Sequence, residues 1–115
     1  MTMHEISIAE DLSAIVLDAA SDANLSSVTR VNVSFGQMIQ VVPESFEFAF
    51  REAVRDTIAE NCELDIEIIG IKLKCADCGN EFNIDSGIFT CASCGSGNLE
   101  IINGKELFVK SIEGE

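Results

Sequence analysis

The residues in this chain best suited to chemistry are four cysteines in two close pairs. Two residues separate Cys75 from Cys78 and Cys91 from Cys94, and twelve residues lie between the pairs. A two-residue spacer lets both sulfurs of a pair face one ion. The glycine after each pair permits a tight turn in which backbone N–H groups point at the sulfurs. This spacing indicates tetrahedral coordination by four thiolates.

Four thiolates complete the coordination shell, so no position is left for a catalytic water. We therefore interpret the segment as a structural zinc ribbon, and its folding would depend mainly on metal binding. A rubredoxin-like iron centre is a second interpretation, although the pairs lack rubredoxin's proline and aromatic surroundings and lie close together. A redox or catalytic dithiol is a third.

The charge of the chain argues against nucleic acid as a partner. The formal net charge is −13, and the segment from Cys75 to Glu100 contains no lysine or arginine. A surface of this sign is repelled by phosphate backbones and anionic membranes. We expect the ribbon to hold shape or to dock onto protein. Its acidic residues are Asp77, Glu81, Asp85 and Glu100.

The cysteine count and the apolar runs indicate a reduced, cytoplasmic protein. Five cysteines are an odd number, and no apolar run approaches the roughly 20 residues needed to span a bilayer. The N-terminus also lacks the pattern of a secretory signal. We interpret the fifth cysteine, Cys62, as a small core residue, with a reactive thiol as the alternative.

A second candidate metal residue is His4, the only histidine in the chain. A solvated side chain is the ordinary interpretation of a lone histidine near a terminus. Its position adds another, because an N-terminal amine, deprotonated backbone amides and a nearby imidazole supply nitrogens in one plane. That geometry selects Ni(II) or Cu(II) over zinc.

Apolar periodicity predicts the elements that must position these side chains. The order is helix, strand, helix, strand, cysteine segment and strand. The predicted elements are a helix over residues 7–23, a strand over 28–36, a helix from Pro43 whose apolar stripe runs to Ile58, and strands over 63–74 and 106–112.

This order predicts an α+β fold, in which a short mixed β-sheet packs with two α-helices. Because the last strand follows the cysteines, the four-cysteine zinc-ribbon subdomain is predicted as an insertion. The domains would be residues 1–72 plus 105–115 and, for the insertion, residues 73–104. Either Leu107 and Val109 or Phe108 and Ile112 face inward on the last strand.

Taken together, the motifs resemble the HypA/HybF hydrogenase nickel-incorporation family over essentially the whole chain. The matching features are Met3-His4-Glu5 before an amphipathic helix, a strand ending at Gly36, a helix start at Pro43-Glu44, two CxxCG motifs and the closing LFVKSIE strand.

The resemblance implies a nickel metallochaperone. The N-terminal Met3-His4-Glu5 would bind one Ni(II), with His4 essential, the N-terminal amine contributing and Glu5 as its neighbour. The cysteines would hold a separate structural Zn(II). The protein would work with a nickel-binding GTPase and deliver metal to the large subunit of [NiFe]-hydrogenase, and some members also supply urease.

The sequence departs from the family pattern because Met1 and Thr2 precede Met3. Three interpretations of the N-terminus follow. Met3 is the true start, or Met1 is removed and Thr2 becomes the first residue, or Met1 stays and the nickel site is remodelled. With Met1 removed, histidine is third and completes a square plane unaided, which predicts tight, slowly exchanging nickel.

The competing function is a zinc-ribbon adaptor that binds protein and carries no nickel. An enzyme is the weakest class, because no histidine lies among the cysteines and one histidine supports no Ser/His/Asp set. We expect a monomer or a weak dimer.

Overall fold

A computed structural model describes residues 3–84 and 89–115, without the side chain of Met3. Met1, Thr2 and Asp85, which entered the sequence predictions, lie outside the described residues. The helices and strands are α1 (Met3–Asp22), β1 (Val28–Gly36), a short 3-10 helix (Gln37–Ile39), α2 (Pro43–Ala53), β2 (Glu63–Ile69), β3 (Lys72–Cys75), β4 (Glu81–Asn83), β5 (Leu99–Asn103) and β6 (Leu107–Gly114).

The α+β fold class is confirmed: two helices accompany two small sheets. One sheet has the strand order β2-β1-β6 and the other the order β4-β3-β5. The chain forms two compact units. We call them the helical unit (residues up to Ser34, Val41–Glu67 and Leu107–Glu115) and the ribbon unit (Phe35–Gln40 and Ile68–Glu106).

The core of the helical unit lies between its helices and the sheet. Helix α1 packs against α2 and β6. The fully buried side chains include Val16 of α1, Val31 of β1 and the aromatic pair Phe46 and Phe50 of α2, whose ring centroids are 5.8 Å apart. On β1 the alternate residues Val31 and Val33 are buried, as strand periodicity predicts, but Ser34 on the opposite face is fully buried as well.

The other face of β1 carries a cation among acidic side chains. The guanidinium of Arg30 contacts Glu63 at 2.5 Å and also Asp65, both on β2. It contacts Glu113 of β6 at 3.2 Å. One arginine on the central strand thus links the two outer strands of the sheet.

Helix α2 is shorter than its apolar stripe predicted. It ends at Ala53, and Asp56 has a left-handed φ of 63° that no helix continues. Beyond Ala53 the stripe is only partly buried: Val54 is fully buried within a turn, whereas Ile58 is 40% exposed. The extension of the helix and of its buried face to Ile58 was therefore wrong.

Cys62 follows these turns and is a core residue, as predicted, with only 2% of its surface exposed. The side chain of Arg51 donates a hydrogen bond to the Cys62 carbonyl oxygen. Burial raises the pKa of the Cys62 thiol, so the group stays protonated at neutral pH.

The single strand predicted over residues 63–74 is instead two strands in different sheets. Strand β2 ends at Ile69, next to Gly70, and β3 begins at Lys72. Glycine has no side chain to pack on either face of a sheet, so it weakens a strand at that point. In the ribbon unit, β3 pairs antiparallel with both β4 and β5.

Strand β6 runs to Gly114, two residues beyond the predicted end at 112. Neither predicted inward pair is buried as a whole. Val109 and Ile112 are half-buried, whereas Leu107 and Phe108 are 41% and 43% exposed.

Within the ribbon unit, the end of β1 lies against the turn between β5 and β6. The Gly36 amide donates to the Glu106 carbonyl at 2.7 Å. A Cβ built on Gly36 would lie 2.0 Å from the carbonyl carbon and oxygen of Gly104. Only glycine fits this approach of two backbones.

In the part of the chain that the structure describes, no helix is both long and apolar enough to cross a membrane.

Candidate metal sites

The four cysteines of the two CxxC motifs come together in the ribbon unit. Their Sγ atoms all lie within 4.8 Å of one another. Cys75 Sγ is 3.5 Å from Cys94 Sγ, and Cys78 Sγ is 3.5 Å from Cys91 Sγ. A tetrahedral zinc site with Zn–S bonds of about 2.3 Å has S···S edges of about 3.8 Å. The arrangement therefore fits one tetrahedral ion.

Two turns with the same backbone hydrogen bonds present these sulfurs. We call residues 75–79 the first hook and residues 91–95 the second hook. The amides of Gly79 and Gly95 each donate to the carbonyl of the first cysteine of their hook at 2.8 Å. Both glycines have left-handed φ angles, 78° and 73°. The predicted role of the glycines in a tight turn is thus confirmed.

The hooks also point backbone N–H groups at sulfur. The N–H groups of Cys94 and Ser93 stabilise the Cys91 thiolate, and the pKa of Cys91 falls to about 6. The Ser96 N–H acts in the same direction on Cys94. There, contact with the Cys75 sulfur and desolvation outweigh it and raise the pKa of Cys94 to about 12.

Opposite shifts within one cluster mean that four thiolates do not form together on their own. An ion must replace the protons that they share, so acid competes with metal. Cys75 and Cys91 are buried, and Cys78 and Cys94 are exposed. The donor set, four thiolates without nitrogen or oxygen, suits zinc or iron better than nickel held for transfer.

The predicted nickel residues lie at the start of α1. The helix begins at Met3, and the side chain of His4 in its first turn is exposed. The first four N–H groups of a helix have no acceptor within it. The first turn of α1 therefore combines the imidazole of His4 with backbone amides that have no hydrogen-bond acceptor within the helix.

Glu5 is oriented differently from His4. Its side chain is only 3% exposed, and its Oε1 accepts a hydrogen bond from the Val42 amide at 3.3 Å. Its Oε2 is buried and has no partner among the described residues. The structure thus brings His4 to the surface and Glu5 into the helical unit, against the residue that precedes α2.

One polar cluster near the cysteines was not foreseen as a contact. Asp77 of the first hook accepts hydrogen bonds from Ser96 and Asn98, which follow the second hook. From the sequence, Asp77 was expected only to contribute acidic charge to the ribbon. No spacing rule reports this contact, because it depends on how the two hooks face each other.

A comparison with known families matches residues 3–114 to a model described as hydrogenase/urease nickel incorporation, metallochaperone, hypA. The hydrogenase maturation factor HypA of Aquifex aeolicus is 42% identical over 113 residues, which are 98% of either chain. The hydrogenase maturation factor HybF of Klebsiella pneumoniae is 36% identical over 98% of this chain and all of its own length.

Solved structures agree with these relatives. The solution structure of the Ni metallochaperone HypA from Helicobacter pylori has a TM-score of 0.69, 26% identity and 96% coverage of both chains. A second solution structure of HypA protein has a TM-score of 0.75 at 26% identity and covers 100% of this chain and 98% of its own. From its motifs, its fold and these matches, the chain belongs to the HypA family of hydrogenase-maturation nickel metallochaperones.

Proposed function

We propose that this protein carries two metals at separate sites, Ni(II) as cargo at its N-terminus and Zn(II) as a structural ion among its cysteines. The observation that carries the proposal is the placement of the only histidine. His4 is exposed in the first turn of α1, whereas the cysteines form a four-thiolate cluster of their own in the ribbon unit. Membership of a nickel-incorporation family supports the assignment.

The nickel site would use the His4 imidazole, backbone nitrogen of Met3-His4-Glu5 and the N-terminal amine. Nitrogen donors in one plane favour Ni(II). Amides in the first helical turn lose their protons to a metal without breaking an intrahelical hydrogen bond. The buried carboxylate of Glu5, held by the Val42 amide, would anchor this turn while His4 faces outward.

The zinc site would use Cys75, Cys78, Cys91 and Cys94. Four thiolates close its shell, so bound zinc would supply folding energy to the ribbon and no catalysis. We assign the nickel role to the α+β domain, residues 1–72 plus 105–115, and the zinc role to the insertion, residues 73–104.

Nickel would leave by ligand exchange. An incoming thiolate or imidazole replaces the terminal nitrogens in steps, and no covalent bond of the protein is made or broken. Amine, amide and imidazole all bind metal in deprotonated form, so acid would release the nickel. A closed four-thiolate site offers no open position to an incoming ligand and would keep its zinc longer.

The partners we propose are the nickel-binding GTPase of the maturation machinery and the large subunit of [NiFe]-hydrogenase, met in the cytoplasm. The curated relatives are named hydrogenase maturation factors. The description of the family model also names urease, which we propose as a second recipient. A net charge of −13 suits basic protein surfaces and disfavours nucleic acid.

The test is nickel titration of zinc-loaded protein without a histidine tag, because His4 is the only native imidazole. Intact mass first fixes the N-terminal residue and so decides among the three possible starts. We expect one Ni(II) per chain for the wild type, and at least a tenfold weaker affinity with zinc retained for His4→Ala.

A relocation variant is the matched control. His4→Ala combined with Ser7→His keeps one imidazole on the exposed surface of α1 but moves it along the helix. We expect this double variant to bind nickel as weakly as His4→Ala. Equal nickel binding by all three proteins would refute the terminal site and leave a zinc-ribbon adaptor as the better description.

A further inference from the structure

The two hooks are joined by a side-chain bridge that consists of Asp77, Ser96 and Asn98. The Ser96 hydroxyl donates to Asp77 Oδ2. The Asn98 side-chain amide donates to Asp77 Oδ1 at 3.4 Å. The backbone amide of Asn98 in turn donates to Ser96 Oγ at 3.0 Å. One carboxylate of the first hook thus holds the chain segment that leaves the second hook.

Backbone hydrogen bonds tie the same segment to both hooks. The Cys91 amide donates to the Ser96 carbonyl at 2.8 Å, and the Ala76 amide donates to the Asn98 carbonyl at 2.9 Å. Ser96 is therefore bonded to the second hook through its backbone and to the first hook through its hydroxyl. Any movement of one hook away from the other must break the Asp77–Ser96 bond.

The bridge breaks the near-symmetry of the hooks. Ser93 occupies the position in the second hook that Asp77 occupies in the first. Its side chain is exposed, and within the described residues its hydroxyl has no hydrogen-bond partner. Asp77 of the first hook thus makes the side-chain contact between the hooks, and Ser93 does not. A substitution at Ser93 is therefore a control for a substitution at Asp77.

Charge alone would not favour a carboxylate here. Four thiolates around a divalent ion carry a net charge of about −2, and a nearby carboxylate is repelled by it. An electrostatic role predicts that removing the charge of Asp77 tightens metal binding. A role in holding geometry predicts that losing its hydrogen bonds weakens metal binding. The two roles therefore differ in the sign of the effect.

We propose that Asp77 is a positioning residue that sets the second hook, through Ser96, at ligand distance from the first. The inference rests on the proposed zinc site and adds that a side chain which is not a ligand controls how firmly that site holds its ion. Hydrogen-bonded partners just outside a metal's ligands typically change affinity by about 10- to 100-fold when they are replaced.

The test compares zinc release to a chromogenic chelator from full-length, zinc-loaded Asp77→Ala, Asp77→Asn, Ser96→Ala and Ser93→Ala. We expect Asp77→Ala and Ser96→Ala to lose zinc at least about tenfold more readily than the wild type. Asp77→Asn keeps a carbonyl oxygen as acceptor and should recover most of the loss. Ser93→Ala keeps the backbone N–H that stabilises the Cys91 thiolate and removes only an exposed hydroxyl, so it should match the wild type.

Two further measurements separate positioning from general loss of structure. The Co(II)-substituted proteins report ligand geometry through their visible absorption, and we expect altered bands for Asp77→Ala but not for Ser93→Ala. The double variant Asp77→Ala/Ser96→Ala should lose less affinity than the sum of the two single losses, because both changes remove the same Asp77–Ser96 bond. Should Asp77→Ala not fold, Ser96→Ala and Asp77→Asn still give the comparison.

The outcomes that overturn the inference are distinct from those that overturn the zinc site. Wild-type protein that binds no zinc removes the zinc assignment and the inference with it. Zinc-binding wild type with unchanged release from Asp77→Ala refutes the bridge alone. Tighter zinc in both Asp77 variants shows that charge, rather than position, decides.

Discussion

The anchoring of α1 by Glu5 predicts a measurable difference between two substitutions. Glu5→Ala removes the acceptor of the Val42 amide, whereas Glu5→Gln keeps a carbonyl oxygen at the same place. Both leave His4 and the backbone of the first turn unchanged. If the hydrogen bond is what Glu5 contributes, the alanine variant should be less stable than the glutamine variant.

The expected size follows from three contributions to the free energy of unfolding. A hydrogen bond to a charged group contributes about 1.5–3 kcal/mol. The buried CH₂ that alanine lacks adds about 0.8 kcal/mol. Oε2 is buried without a partner among the described residues, so removing it recovers a desolvation cost of about 1–2 kcal/mol and reduces the net loss. The net loss for Glu5→Ala is about 1–2 kcal/mol, and Glu5→Gln, which keeps a neutral hydrogen bond, should lose about 1 kcal/mol less.

Urea denaturation of zinc-loaded, nickel-free protein measures this difference. The chain contains no tryptophan or tyrosine, so far-UV circular dichroism is the appropriate signal. With an m-value of about 1–3 kcal/mol/M, the alanine variant should unfold at about 0.3–2 M less urea than the wild type. Equal destabilisation by both variants would refute the hydrogen-bond argument and indicate a role for the charge. No destabilisation by alanine would show that the anchor contributes nothing.

Three further substitutions test the packing described above. Phe50→Ala removes a fully buried ring and should cost about 3–5 kcal/mol in chemical denaturation, whereas Phe48→Ala, at a position 60% exposed, should cost little. Gly36→Ala places a Cβ against the backbone of the β5–β6 turn and should lower the denaturation midpoint, whereas Gly70→Ala meets nothing within 4 Å and should not; equal midpoints would contradict the close approach. Cys62 should resist alkylation in native protein. Burial raises the pKa of the Cys62 thiol in the folded protein. The stability that the neutral thiol contributes is therefore complete below the ordinary thiol pKa of about 8.5 and declines as pH rises through the folded-state pKa. Cys62→Ala should accordingly lose less stability than the wild type when the pH is raised.

Local patterns predicted the parts of the protein whose geometry is itself local. The CxxCG motifs predicted both hooks, because a two-residue spacer and a glycine with positive φ determine the turn within five residues. The burial of Val31 and Val33 on β1 also followed from the sequence, whereas the full burial of Ser34 on the opposite face contradicts the alternation.

Features that depend on distant partners were not predictable in the same way. Residues 63–68 alternate, and the apolar positions then shift by one residue at Ile68-Ile69, where β2 ends. This shift marks the break, but the sequence does not specify that β2 and β3 pair with different strands. Beyond Ala53, Val54 is buried within a turn and Ile58 is 40% exposed, because apolar spacing alone does not require a helical backbone. The contact of Asp77 with Ser96 requires the hooks to be facing each other, which follows only from the folded ribbon.

The arrangement of charge around Arg30 bears on how copies of the protein behave in solution. Both outer strands of the β2-β1-β6 sheet present acidic side chains, Glu63, Asp65 and Glu67 on β2 and Glu113 on β6. An outer strand with free backbone groups is otherwise a template onto which another chain adds. At a net charge of −13 these strands repel one another between molecules, while Arg30 relieves the repulsion within one molecule. At neutral pH this repulsion keeps the sheet edges of different molecules apart. Near the isoelectric point the repulsion is lost, and the protein should aggregate by pairing of these edges.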